Sequence, residues 1–298
     1  MADHESFHRA ARACHVSQPG LSAQLRQLEE LLGTRLFERD RRNVWITAVG
    51  EDVVRRARAV LDEVRGMTEL ARSAQAPLRG LLRVGVIPTI APYLFPRVLP
   101  RVRRRFPELR LRLHEGRTEE LVALLRRGDL DLLVVALEAP LEGLATRPLF
   151  EDRFVVALPA GHRLAKRRRL REGDLAGEPL LLLTEGHCLR EQALAACGAR
   201  GSDEVSDFRA SSLATLVEMV SGGEGVTLLP ELSLAVEARR RDLALVPFQP
   251  PIPYRTIGLA WRAASGRAAE YALLAESLVP APPRSTARPR GRVARSRE

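Results

Sequence analysis

Two cysteines in this chain have the spacing and neighbours of a reactive thiol pair. Cys188 follows an apolar run at residues 180–183 and opens a helix-forming stretch that ends at Cys197. A thiol at a helix N-terminus, with His187 and Arg190 close in sequence, is placed to favour its thiolate, the nucleophilic form. On a continuous helix, nine residues would put the two Cα atoms about 13 Å apart at ~1.5 Å rise per residue. A disulfide needs them within about 7 Å. A Cys188–Cys197 bridge would therefore require the segment to unwind, making it a bistable element driven by covalent chemistry. Two plainer readings stand beside this one. Free thiols are commonly ordinary packing residues, one half-exposed and one buried. Zinc held by His187 and Cys188 is the other, but adjacent residues without a CxxC partner make a poor ligand set, so no metal is expected. Cys14 is expected to be packed in the amino-terminal module, with His15 beside it on a turn or at the surface.

Such a segment needs a scaffold. The chain has 298 residues, the length of about two domains at roughly 150 residues each. That length buries sizeable cores without disulfides, and three cysteines exclude a disulfide-rich secreted scaffold. No run reaches the ~18 apolar residues of a membrane span. The first residues have neither a basic n-region nor an apolar h-region, so a cytoplasmic protein is the default expectation. The net charge of +10 is uneven: from Arg284 to Glu298, six Arg against one Glu contribute half of it. Lys166 is the only lysine among 47 basic residues, so single arginines carry little information. The basic balance permits nucleic-acid binding without showing it.

Four segments follow from composition and periodicity. Residues 1–46 read as helices ending in a short β-like stretch, and residues 47–76 as one long helix. Residues 77–280 alternate apolar runs with amphipathic helices, and residues 281–298 form a Pro/Arg/Ser-rich tail expected to be disordered. The strand-like runs are 82–87, 109–113, 130–137, 154–158, 180–183, 225–229, 243–246 and 256–261. Their alternation with helices predicts an α/β fold with a mostly parallel sheet in two Rossmann-like lobes. Ligands in such sheets bind where strands end and helices begin. There is no GxGxxG or Walker loop, so no nucleotide cofactor is expected.

In the first segment Ser17 can cap a helix whose first turn tolerates Pro19. Leu21, Leu25, Leu28 and Leu32 then form one stripe, expected to be buried, with Gln18, Ser22 and Arg26 on a more exposed one. A preceding helix carries the small residues Ala10, Ala11 and Ala13. Two short helices and a tight turn suit a helix-turn-helix, whose second helix would present Gln, Ser and Arg to base edges and phosphates. Residues 36–46 read as a β-hairpin wing with Arg41 and Arg42 towards phosphates. The same pattern also suits a small helical module with a solvated polar face. Thr47 can cap the long helix. Val53, Ala57, Val60, Val64, Met67 and Ala71 recur as an a/d seam, which predicts helix–helix dimerisation rather than packing on the helix's own domain.

Residues 10–39, with the Thr47-Ala48-Val49-Gly50-Glu51 start of the long helix, resemble the DNA-binding region of LysR-type transcriptional regulators. Gly128-Asp129-Leu130-Asp131, Pro148-Leu149-Phe150 and residues 225–230 resemble that family's effector domain, so the matches span residues 8–280. The resemblance implies a winged helix-turn-helix (1–46), a dimerising linker helix (47–76), a periplasmic-binding-protein-like two-lobed effector domain (77–280) and a homotetramer. It further implies a double-stranded operator as partner, read through Ser17, Gln18, Pro19, Ser22, Arg26, Arg41 and Arg42, and contact with RNA polymerase. The family carries one more helix ahead of this match, which implies that the first helix is truncated here.

Residues 186–190 with the second cysteine resemble the hydrogen-peroxide sensors of the OxyR group. Ile87-Pro88-Thr89, Leu113-His114-Glu115, residues 208–213 and residues 255–259 extend the match across the effector domain. This resemblance implies that Cys188 is the peroxidatic thiol and Cys197 the resolving one. It implies that Thr89, Thr118, His187, Arg190 and Arg255 surround the peroxide, and that a glutaredoxin or thioredoxin resets the switch. From the residues alone, Thr89 and Thr118 read instead as helix N-caps and Arg255 as a strand-edge arginine. The functional expectation is a peroxide-switched regulator of antioxidant genes and not an enzyme. Its alternatives are a regulator answering a small metabolite in the inter-lobe cleft and a thiol peroxidase, for which a helix-turn-helix has no use.

Overall fold

The computed structural model describes residues 6–39, 44–73, 77–184, 188–196, 209–238 and 242–280. His187, Cys197, Arg41, Arg42 and the basic tail lie outside the described residues.

The amino-terminal module starts with α1 (Phe7–Ala13) and α2 (Gln18–Leu32). As expected, Ser17 caps α2, its hydroxyl accepting from the Gly20 amide at 3.2 Å, and Pro19 sits in the first turn. Gly33, left-handed at φ 66°, ends the helix as glycine readily does. The wing is β1 (Phe37–Arg39) paired antiparallel with β2 (Val44–Ile46), Phe37 opposite Ile46. The Glu29 carboxylate on α2 accepts from the amides of Leu36 and Phe37 and ties the wing to the helix. The expected leucine stripe is only partly buried. Leu25 joins Leu36 and Phe37 in a small core with Val44, Ile46 and Val53, while Leu28 and Leu32 are exposed. The reason is that the wing and the first turns of the next helix gather around Leu25. Cys14 is not packed but exposed, because it caps the end of α1 where the chain turns through His15 at φ 54°.

The long helix α3 spans Ala48–Ser73, and Thr47 caps it by accepting from the Gly50 amide at 2.9 Å. Val53 packs into the module, but Val60, Val64 and Met67 are 64%, 53% and 66% exposed, so the described part of the seam is an apolar stripe facing away from the chain's own core.

The larger unit follows in the order β3 (Gly80–Val86), α4 (Ala91–Arg105), β4 (Leu109–Glu115), α5 (Thr118–Arg127), β5 (Leu132–Ala136) and β6 (Leu144–Pro159). Then come β7 (Leu182–Leu183), α6 (Cys188–Ala196), β8 (Arg209–Ala210), α7 (Leu213–Ser221), β9 (Thr227–Pro230), α8 (Glu231–Glu237), β10 (Leu243–Pro247), β11 (Tyr254–Arg262) and α9 (Ala268–Leu278). The main sheet runs β10-β6-β11-β5-β3-β4, with β9 also on β6. Each strand-like run of the sequence lies within or overlaps a strand. The direction of the sheet differs from expectation: β3 pairs parallel with β4 and β5, but β6, β9, β10 and β11 pair antiparallel. The cause is the sixteen-residue β6, which pairs with β11 along its first ten residues and with β9 and β10 along its last six. β6 thus passes between two lobes and joins them. Side chains of both lobes form one buried core, from Leu82, Val84 and Leu133 to Phe154, Leu181 and Leu228. On the opposite side Tyr93 of α4 donates to Glu237 of α8 at 2.7 Å, and burial together with that carboxylate pushes the phenol well above its ordinary pKa. Among the described residues no helix is long and apolar enough to cross a membrane.

Gly50 is the close-approach point between the wing and α3. A Cβ there would collide with the Leu36 carbonyl oxygen and come within 2.8 Å of Ile46. Helix propensity alone would make Gly50→Ala stabilising by about 1 kcal/mol, but overpacking against backbone costs about 1–3 kcal/mol. Gly50→Ala is therefore expected to lower the melting transition of the amino-terminal module, followed by circular dichroism, and a raised transition would contradict this packing.

Candidate functional site

Three strand-to-helix junctions meet at one place, as the α/β expectation required. Thr89 lies in the turn between β3 and α4, Thr118 begins α5 after β4, and Cys188 begins α6 after β7. The Thr118 hydroxyl and the Cys188 sulfur are 2.9 Å apart, within hydrogen-bond reach. Ile87, Pro88, Thr89, Arg117, Thr118, Cys188 and Leu189 enclose a small cavity with room for about one water-sized molecule. Thr89 and Thr118 are each 4% exposed, so a molecule there would be largely removed from solvent.

The two threonines are not helix caps. The residues at the cap positions are Ile90 and Arg117, neither making a side-chain cap bond, and Thr118 is already inside α5. Nor is Arg255 a strand-edge residue: β11 lies between β6 and β5, and Arg255 is fully buried. Its Nη1 donates to Thr89 Oγ1 at 2.8 Å and its Nη2 to the Thr89 carbonyl at 3.1 Å. A buried guanidinium requires a counter-charge, and Asp152, opposite it on β6, supplies one at 2.9 Å. Arg255 thus reaches the cavity through Thr89. Arg190 donates to the Leu183 carbonyl at 3.4 Å. Sequence reasoning singled out neither Asp152 nor Arg117. A charged residue two positions before the apolar run 154–158 was the available signal for the former; nothing in the local pattern marks the latter.

Cys188 has a second side. It also lines an open cleft of about 570 Å³ together with Glu138, Glu191, Gln192, Ile252 and Tyr254. Among the described residues, buried side chains and a polar tie help to hold the segment carrying it. Leu189 and Ala193 are each 3% exposed, and Gln192 donates to Glu138 at 3.2 Å while Glu138 accepts from the Thr256 amide at 2.6 Å. A nine-residue helix is too short to be stable by itself, so these contacts decide whether α6 stays wound.

In the amino-terminal module Ser17, Gln18, Pro19 and Arg26 are exposed on α2 or its cap, and Ser22 is half-buried. Arg26 Nε donates to the Ser22 carbonyl at 3.3 Å, which aligns the guanidinium along the exposed stripe.

The LysR substrate binding domain family matches residues 75–281, and the bacterial regulatory helix-turn-helix protein, lysR family, matches residues 1–51. The chain is 44% identical over 278 residues to the DNA-binding transcriptional dual regulator OxyR of Escherichia coli K12, covering 93% of this chain and 91% of that one. Its structure is similar to a full-length OxyR variant from Pseudomonas aeruginosa, with a TM-score of 0.72 and 38% identity, covering 93% and 90% of the two chains. It is also similar to a hydrogen-peroxide-bound OxyR mutant from Corynebacterium glutamicum, with a TM-score of 0.67 and 36% identity, covering 93% and 88%.

Either atom can donate in this 2.9 Å contact, but a nucleophilic sulfur has no proton, so in reaction the Thr118 hydroxyl is the donor, and one such bond is worth about 1 kcal/mol, or roughly fivefold in rate. Thr118→Val is therefore expected to slow alkylation of Cys188 by iodoacetamide about fivefold at neutral pH, measured by peptide mass spectrometry. An unchanged rate would mean that the hydroxyl does not act on the sulfur.

Proposed function

The chain belongs to the LysR family of bacterial helix-turn-helix regulators, and from that premise we propose that it is a DNA-binding, OxyR-type transcriptional regulator switched by hydrogen peroxide at Cys188. The observation that carries this reading is the Cys188 sulfur, 2.9 Å from the Thr118 hydroxyl, at the wall of a small enclosed cavity backed by Thr89 and Arg255.

The chemistry follows from those groups. The Cys188 thiolate attacks one peroxide oxygen. The O–O bond breaks with its electron pair on the other oxygen, which leaves as hydroxide and takes a proton to become water. The sulfur is now a sulfenic acid. The Cys197 thiol attacks that sulfur, an S–S bond forms, and the hydroxyl leaves as water. Thr118 supports the thiolate before attack, and the buried Arg255 charge, acting through Thr89, supports the leaving oxygen. His187 and Arg190 flank Cys188 in sequence and are the remaining groups assigned to the peroxide. A thiol reductant such as glutaredoxin or thioredoxin resets the pair.

The transcriptional output runs through the other segments. α2 enters the major groove, with Ser17, Gln18, Pro19, Ser22 and Arg26 at the DNA and Arg41 and Arg42 of the wing on phosphates. The α3 seam joins two chains, the effector domains pair these dimers into a tetramer, and RNA polymerase is the downstream partner. The exposure of Val60, Val64 and Met67 along α3 supports the seam.

One observation favours a second reading. The open cleft beside Cys188 is large enough for a small metabolite, at about 570 Å³. Cys188→Ser separates the two: it is expected to abolish peroxide-induced change in promoter footprints while leaving basal DNA binding, whereas a preserved response would assign the signal to the cleft. Val60→Asp is expected to convert the assembly to smaller species in sedimentation velocity, since it places a charge in the apolar seam. An unchanged assembly would refute the seam as interface.

A further inference from the structure

Asp152 and Arg255 face each other across β6 and β11, and their side chains are 1% and 0% exposed. One carboxylate oxygen of Asp152 accepts from both Nε and Nη2 of Arg255, at 3.1 and 2.9 Å. Its other oxygen accepts from the Leu232 amide in the first turn of α8 at 2.9 Å. The carboxylate is therefore fixed from two directions. It holds one edge of a rigid, planar guanidinium, and a planar fork held at one edge has the direction of its other edge set as well. That other edge carries Nη1, which donates to Thr89 Oγ1 at 2.8 Å.

The bond has a consequence for Thr89. A hydroxyl has one proton to donate and two lone pairs to accept with. Because a cation donates to Thr89 Oγ1, the hydroxyl's own proton remains for a group in the cavity, and polarisation by the cation makes it a stronger donor. Without the carboxylate, the guanidinium keeps only its bonds to Thr89, from Nη1 to Oγ1 and from Nη2 to the carbonyl, and its Nε edge is no longer fixed, which loosens the orientation of the hydroxyl.

We infer that Asp152, which does not line the cavity, is a positioning residue for peroxide reduction: it sets Arg255, and through it Thr89, so that the Thr89 hydroxyl donates to the peroxide oxygen that leaves as hydroxide. This rests on the peroxide reading above. It differs from simple neutralisation of a buried charge, which would affect stability and every reaction of Cys188 alike.

The test uses the full-length reduced protein and compares two reactions of Cys188, oxidation by hydrogen peroxide and alkylation by iodoacetamide, each followed by quenched-flow and peptide mass spectrometry. Asp152→Asn keeps the shape and removes the charge. The peroxide rate is expected to fall about ten- to a hundredfold, the scale of a misplaced reacting group, while alkylation, which involves no leaving oxygen at Thr89, changes about threefold or less. In a Thr89→Val background the same substitution is expected to lower the peroxide rate by no more than about twofold, because residues acting through one another are not additive. Equal losses in both reactions, or an unchanged peroxide rate in Asp152→Asn beside a parent that reacts rapidly, overturn the inference. A parent whose Cys188 ignores peroxide overturns the proposed function and this inference with it, so the two failures are distinguishable. Should Asp152→Asn not fold, Asp152→Glu moves the carboxylate by one bond with its charge intact. A selective loss of the peroxide rate then supports the inference, and an equal or absent loss overturns it.

Discussion

A positive charge fully buried between two lobes is the constraint on which the rest of this effector domain depends. Removing a partner from such a pair costs about 3–5 kcal/mol, a large share of a domain's net stability. Arg255 can exist at its position only because β6 runs antiparallel beside β11 with Asp152 opposite, and because the turn after β3 brings Thr89 to its other side. The long β6 that makes the pair possible is also the strand that joins the lobes. The junction of the lobes thus rests on β6, and the charge held between β6 and β11 reaches the cavity through Thr89.

The second constraint acts on α6. Its nine residues run from Cys188 to Ala196, and on a continuous helix a nine-residue separation would put two Cα atoms about 13 Å apart, beyond the ~7 Å reach of a disulfide. The reduced geometry is maintained by two buried side chains, Leu189 and Ala193, and by polar ties such as Gln192 to Glu138. Contacts of this kind are each worth about 1–3 kcal/mol. Unwinding such an element is within the range that a disulfide, typically worth about 2–4 kcal/mol, can offset. Cys188 also borders both an enclosed cavity and an open cleft, so two different sides of the residue face accessible space.

Much of this was legible from residue types. The position of the strands, the caps Ser17 and Thr47, the wing and the placement of Cys188 at a helix start all follow from local rules, and local rules suffice because each depends on neighbours in sequence. Long-range choices were not legible. The apolar run 256–261 announces a strand but not its direction, and so the antiparallel half of the sheet was missed. The leucine stripe of α2 predicts an apolar face but not how much of it the wing covers, which leaves Leu28 and Leu32 exposed. Thr89 and Thr118 have the composition of caps, and only the packing of three junctions turns their hydroxyls towards one cavity. Arg255 entered through family resemblance alone, and Asp152 had no reading, because its role is defined by a cross-strand neighbour about a hundred residues away.

The proposed switch joins Cys188 to Cys197 through local refolding. The most direct measurement is mass spectrometric mapping of every cysteine after brief exposure of the reduced protein to near-stoichiometric hydrogen peroxide. A Cys188–Cys197 disulfide within seconds, with Cys14 still reduced, is the expected result. Both thiols remaining reduced until a large excess of peroxide is present would contradict it.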